Sequence, residues 1–255
     1  MAWAIVYARY AKPYHKKIEE TEAIFEQLTN LHEQAHQDKT VLRVSIDAKA
    51  TVKVGSFSRG GQSRVIVRAA DHDFKAVETL TPFGIFLPND DEVYLYFAPS
   101  GLTADFMGDC LGDFWTMVRA RFPTITTLLI NLDNGPENNS RRTQFMQRLT
   151  DFADTFHLTV QLAYYPPYHS KYNPIERVWG VLEQHWNGAL LDSRQAVLRF
   201  ASTMTYNHVS PVVKFIDRAY QTGVKLTKQV MTDLEARFQR LPGLGKWFVR
   251  IAPLC

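Results

Sequence analysis

The sequence predicts a mixed α/β sheet with helices on both faces, opening on three antiparallel strands and continuing with parallel ones. From Val41 onward, apolar and polar residues alternate and β-branched types dominate, as in half-buried strands. From Thr103 the period changes to amphipathic helices separated by short, nearly all-apolar runs, the mark of central strands buried on both faces. At 255 residues, 45% hydrophobic and 22% charged, the chain can bury a substantial core.

Taken in order, residues 14–37 predict an exposed amphipathic helix, with Ile18, Phe25, Leu28 and Ala35 at loose helical spacing. Three strands, Val41–Val54, Arg64–Ala69 and Val93–Ala98, form the expected meander, the second set off by Gly60-Gly61. "TADFMGDCLGDFWTMVRARF" places Phe106, Cys110, Phe114, Trp115 and Val118 on one helical face, and "TTLLINLD" is a buried strand. "SRRTQFMQRLTDFADTFH" carries Phe145, Leu149, Phe152 and Phe156 on one stripe, with Ser140 expected as N-cap. "LTVQLAYY" is a strand again, followed by the stiff aromatic turn of "YYPPYHSKYNPIERVWG" and a helix Pro174–Trp186, with Gly188 suited to a left-handed cap. Ser193 to Arg240 reads as two or three helices and "KWFVRIAP" as a late strand. This order is the ribonuclease-H-like layout, although composition and periodicity also admit other α/β folds. The expected organisation is a helical lead-in over 1–38, a catalytic core over 39–192, and a helical C-terminal extension with a late strand over 193–255.

Net charge is +3, which permits an anionic partner without requiring one. Cys110 and Cys255 are the two cysteines and form no framework, as expected of a reducing compartment. No stretch approaches ~20 continuous apolar residues, so a cytoplasmic protein with no membrane span is expected.

Three acids carry the chemistry. Asp47 lies inside an apolar strand, where a carboxylate is costly unless partnered; a solvent-facing position or a pair with Lys49 or Lys53 would explain it equally simply. Asp133 follows a buried strand, at the edge where open α/β sheets bind ligands, yet Asp-Asn-Gly is also ordinary turn chemistry. Glu176 follows Asn173-Pro174, which predicts a capping box in which Glu176 closes its own helix. Its rival, Glu183, lies about 10 Å farther along that helix. Jointly, the three elements converge the acids on one end of the sheet, and hard oxygen ligands suit Mg²⁺ or Mn²⁺.

The blocks "SIDAKATVKVGSFSRGG", "INLDNGPENNSRRTQFMQRL", "YYPPYHSKYNPIERVWGVLEQHWNG" and "YQTGVKL" resemble those of bacterial insertion-sequence transposases of the ISAzo-thirteen type. These are DDE enzymes with a ribonuclease-H-like core, related to the mariner-like group, and the resemblance runs from about Ile18 to Pro253. It implies Asp47, Asp133 and Glu176 as catalytic metal ligands for two Mg²⁺ or Mn²⁺ ions, cleaving and transferring DNA strands at insertion-sequence ends. It implies transposon-end and target DNA as partners, a homodimer on that DNA, and a protein that joins the nucleoid when DNA-bound. Such transposases read DNA with a helix-turn-helix region, for which the 40 or so residues before the first strand are too few. A truncated copy and a separate DNA-recognition polypeptide are the two expectations that follow.

Candidate phosphate contacts are Lys49, Arg141, Arg142, His169, Lys171 and Arg177, with the tyrosines of the turn packing on the sheet or stacking on bases; packing is the expectation for Tyr164 and Tyr165. Two other readings compete: a catalytically inactive, truncated or domesticated DNA-binding fragment, and a binuclear phosphohydrolase using Asp71, His72 and Asp73. A histidine site would favour transition metals instead.

Overall fold

The computed structural model describes residues 18–57, 76, 78–99 and 101–254. Its centre is a mixed sheet of nine strands, with the order β7-β4-β3-β1-β5-β6-β9-β8 and β2 attached to β3. Strand β1 (Val41–Ala48) pairs antiparallel with β3 (Glu78–Leu87), which pairs antiparallel with β4 (Glu92–Ala98). On its other side β1 runs parallel to β5 (Thr127–Leu132), and β5 parallel to β6 (Thr159–Tyr164). Three antiparallel strands followed by parallel ones is the predicted architecture.

The membership of the meander differs from expectation. Val41–Val54 is broken into β1 and a short β2 (Val52–Val54), and the middle strand is β3, in a stretch the pattern does not mark. Pro82 and Gly84 make "ETLTPFGIFL" read as a break, since both are poor strand residues. The fold tolerates Pro82 because its carbonyl accepts from Lys49 N just beyond the last β1 pair, Ala48 with Phe83. Its nitrogen faces the same side, so the missing N–H forfeits a bond only at the margin where β1 ends. The expected strand Arg64–Ala69 and the Asp71–Asp73 cluster lie outside the described residues.

Helix α1 (Thr21–Gln37) buries Ile24, Leu28, Leu31 and Ala35. Helices α2 (Ala104–Val118) and α3 (Thr143–Phe156) pack on one another, joined by Phe83, Ile85, Tyr94 and Tyr96 in one core. The alternate residues of the same strands, Phe86, Val93, Leu95 and Phe97, pack instead with α4 (Ile175–Trp186) and α5 (Arg194–Ser202). Since neighbouring strand residues point to opposite faces, α2 and α4 lie on opposite sides of the sheet.

Two local expectations are corrected. Ser140 does not cap α3; it is buried and donates to the Lys246 carbonyl at 2.8 Å, and Arg142 occupies the N-cap without a side-chain bond. Ser193 to Arg240, expected to be helical, forms α5, α6 (Lys228–Glu235) and two short strands, β7 (Val212–Phe215) and β8 (Phe238–Arg240). β7 extends the sheet beside β4, and β9 (Phe248–Ile251), the expected late strand, pairs with β6. A strand of three or four residues that completes an existing edge carries too little pattern to be told from helix. Gly188 takes the predicted left-handed conformation, φ +73°.

Candidate active site

Asp47 is the penultimate residue of β1, and Asp133 immediately follows β5. Ser45 pairs with Asn131 across these parallel strands, so each aspartate stands two residues beyond that pair. Side chains two apart share a face, which sets both carboxylates side by side at one sheet edge.

Glu176 reaches the same edge because α4 is tied to β1 at its first turn. Asn173 was expected to cap the helix; instead Pro174 is the N-cap, and the buried Asn173 amide binds the strand. Ser45 Oγ donates to Asn173 Oδ1 at 2.5 Å, and Asn173 Nδ2 donates to the Ile46 carbonyl at 3.0 Å. Ile175 N then donates to Ser45 Oγ at 3.1 Å. The capping box is thus replaced by a clamp holding the residues before Glu176 against those before Asp47.

Close approach of the helix also needs Gly84, which lies opposite Asp47 on β3. A Cβ there would fall 2.6 Å from Ile175 Cδ1 and 2.8 Å from the Trp179 ring. With no side chain in the way, Trp179 Nε1 donates to Asp47 Oδ2 at 2.9 Å. Gly135 plays a smaller version of this part, since a Cβ there would sit 3.0 Å from Asn138 Oδ1 and 3.4 Å from Asp133 Oδ2. Asn138 Nδ2 donates to Asp133 Oδ1 at 2.8 Å, and the buried Tyr164 hydroxyl holds the Asn138 carbonyl at 2.8 Å.

The electrostatics follow from this crowding. Burial, the neighbouring charge of Asp133 and that of Glu176 push the Asp47 carboxyl up to about 7, against the opposing bond from Trp179. Glu183, the rival glutamate, pairs with Lys49 at 2.9 Å. Lys49 is accordingly no partner for Asp47, contrary to the simpler reading of that aspartate. The donors here are all oxygens, and Asn138 Oδ1, on the amide that holds Asp133, is buried without a hydrogen-bond partner. Such a hard set fits Mg²⁺ or Mn²⁺ by type. Among the described residues, however, no three His, Cys, Asp or Glu side chains are gathered closely enough to hold an ion.

A family model described as the Rhodopirellula transposase DDE domain matches residues 8–253. The chain belongs to that family. Two solved structures share the fold of this DDE domain, a Mos1 transposase paired-end complex with the left transposon end and a Mos1 mariner paired-end complex with Mn. Each is 13% identical with a TM-score of 0.52, over 78% and 77% of this chain and 57% of the Mos1 chain. The domain therefore spans a little over half the length of those transposases. No curated protein matches it.

The candidate DNA contacts of the DDE domain are dispersed around this edge. Arg141 is exposed in the loop after Asp133, while Arg142 pairs with Glu137 at 3.0 Å. In the turn before α4, His169 stacks on Tyr172, and Lys171 lies 5.2 Å from that ring. Arg177 is exposed on the first turn of α4. Tyr164 and Tyr165 are buried, as packing residues should be, whereas Tyr168 and Tyr172 are exposed. Sequence reasoning missed Ser45, Gly84 and Trp179 as parts of the site. Only Ser45 left a signal, its position two residues before Asp47 on the same strand face.

Proposed function

We propose that this domain cleaves insertion-sequence ends and transfers the strands in a reaction dependent on Mg²⁺ or Mn²⁺, with Asp47, Asp133 and Glu176 as ligands and residues 39–192 as the catalytic core. The supporting observation is the Asp47 carboxyl, largely desolvated and raised by the charges of two other acids, while the nearby Lys49 is engaged by Glu183. A divalent cation is the natural counter-charge for such a trio. When bound, it supplies the Lewis acidity that activates an attacking oxygen and stabilises the leaving oxygen of a phosphodiester. Asp47, whose carboxyl feels the charges of both other acids, would hold the metal together with Asp133 and Glu176. Trp179 fixes one oxygen of Asp47 and leaves the other for metal, and Asn138 orients Asp133.

The Mos1 structures are complexes with a transposon end and with Mn, which supports DNA and a divalent ion as the partners here. Arg141, Lys171 and Arg177 are the proposed phosphate contacts, with Lys49, Arg142 and His169 placed nearby. The test is cleavage of DNA carrying the element's ends, with Mg²⁺, with Mn²⁺ and with chelator. Asp47→Asn, Asp133→Asn and Glu176→Gln should each abolish cutting without unfolding the chain; an active variant removes that residue from the set. The open spacing of the acids favours one other reading, a domain that binds DNA without cutting it, and metal-independent DNA retention with no cleavage would select it.

A further inference from the structure

On the face of the sheet that carries α4 lies a cavity of about 460 Å³, between α1, the start of α4 and the β3–β4 turn. Its size is within the ~300–1,000 Å³ range of small-ligand sites. Arg43 of β1 lines it, on the same strand face as Asp47 and four residues, or about 13 Å, before it.

Among the described residues, the hydrogen-bond partners of Arg43 are neutral. Its Nε donates to Asn131 Oδ1 at 2.7 Å, and it bonds the Tyr165 hydroxyl; among the described residues no carboxylate pairs with it. Burial holds its pKa below the ordinary value, the sign of a guanidinium short of counter-charge. His32 lies against the same Asn131, with its Nε2 buried and unpartnered. Burial and the Arg43 charge push His32 down to about 4, so its ring is neutral at pH 7. Arg177, also without an acid partner among the described residues, lines the opening, as does one acid, Asp91. The walls are aromatic: Phe25 meets Tyr172 edge-on at 5.1 Å, and Phe86 meets Tyr206 in the same way at 5.1 Å.

A half-buried guanidinium with spare donors calls for a phosphate, and flat walls of rings call for a planar base. We propose that this cavity is a nucleotide subsite, taking the phosphate of one unpaired nucleotide on Arg43 and Arg177 and its base against Tyr172 and its aromatic neighbours. The source is either a nucleotide extruded from bound DNA, in which case the inference rests on the function proposed above, or a free nucleotide.

The full chain, in EDTA, is titrated with a short single-stranded oligonucleotide containing 2-aminopurine, whose emission falls on stacking, and separately with deoxyadenosine monophosphate. Saturable quenching with displacement by the mononucleotide is expected, and Arg43→Gln, Arg177→Ala and Tyr172→Ser should each weaken binding about tenfold. Arg177 and Tyr172 are exposed, so those variants remain informative if Arg43→Gln fails to fold. Binding of both probes assigns the subsite to DNA; binding of the mononucleotide alone assigns it to free nucleotide. Absence of saturable binding, equal affinity in all variants, or displacement by inorganic phosphate as effective as by the nucleotide overturns the proposal. Because the readout is equilibrium binding without metal, a domain that binds here but never cuts DNA sinks the catalytic reading and leaves this one standing.

Discussion

Gly84→Ala tests whether helix approach assembles the site. The added methyl would sit 2.6 Å from Ile175 Cδ1 and 2.8–2.9 Å from two Trp179 ring carbons. Carbon contacts are comfortable at ~3.5–4.0 Å, so about 1 Å of separation has to be found. The Ile175 methyl can turn away, but the indole is rigid and wedged between β3 and its bond to Asp47. The start of α4 must therefore lift from the sheet. Overpacking of this kind costs about 1–3 kcal/mol, which in a chain of this size lowers Tm by roughly 2–10 °C. The larger effect is on chemistry, because an error near 1 Å in placing Glu176 and Trp179 against Asp47 should slow cleavage by about 100-fold. The assay is single-turnover cleavage of end DNA at saturating Mg²⁺, run beside a thermal melt. Gly180→Ala is the matched control: it lies on the same helix, is exposed, and has nothing within 4 Å of its would-be Cβ. That change should stabilise the chain by about 0.5–1 kcal/mol, as expected for glycine to alanine in a helix, and spare activity. Wild-type cleavage and an unchanged melt for Gly84→Ala would refute the idea that a missing side chain sets the distance between helix and sheet.

Asn173→Ala removes two of the three clamp bonds and leaves the Ser45 hydroxyl proton without its acceptor, although Ile175 N still donates to that oxygen; a loss of about 2–4 kcal/mol is expected in urea denaturation, and a loss under 1 kcal/mol would mean the clamp is incidental. Trp179→Phe keeps an aromatic ring but deletes the bond to Asp47, so cleavage should fall about tenfold beside a stability loss of about 1 kcal/mol for the missing part of the indole, and an unaltered rate would leave Trp179 as packing alone. His32 titrates at about 4 in the fold against 6.5 as its ordinary value, so the fold favours its neutral form. Its contribution is complete above pH 6.5 and drains as pH falls toward 4, costing up to about 2 kcal/mol between pH 7 and pH 5, less for the part of the ring that solvent reaches. Denaturation of wild type and His32→Gln at both pH values checks this: the variant should show the smaller drop. If Arg141, Lys171 and Arg177 contact phosphate, replacing any one by alanine should lower the slope of log affinity against log salt by about one; an unchanged slope removes that residue from the interface.

Much of the fold was legible because periodicity records burial directly. The stripes of α1, α2 and α4 and the nearly all-apolar β5 each announce the face they hide, and the two aspartates stand near the ends of β1 and β5. β3 was not legible, because Pro82 and Gly84 are acceptable only given what surrounds them: a neighbouring strand that has already ended, and a helix that needs the vacant space. The same holds for Asn173, whose local chemistry points to a helix cap and whose actual partners are 127 and 128 residues away.

The sequence by itself determined the class of fold, the family, and the three acids worth watching, since residue type and local spacing suffice for these. Only the tertiary structure decided that Asp47 and Asp133 stand in register, that Trp179 donates to Asp47, and that Arg43 is half-buried with no carboxylate partner among the described residues. Those outcomes depend on contacts between residues far apart in the chain, where a bond of 2.9 Å follows from the packing of whole elements and leaves no local trace.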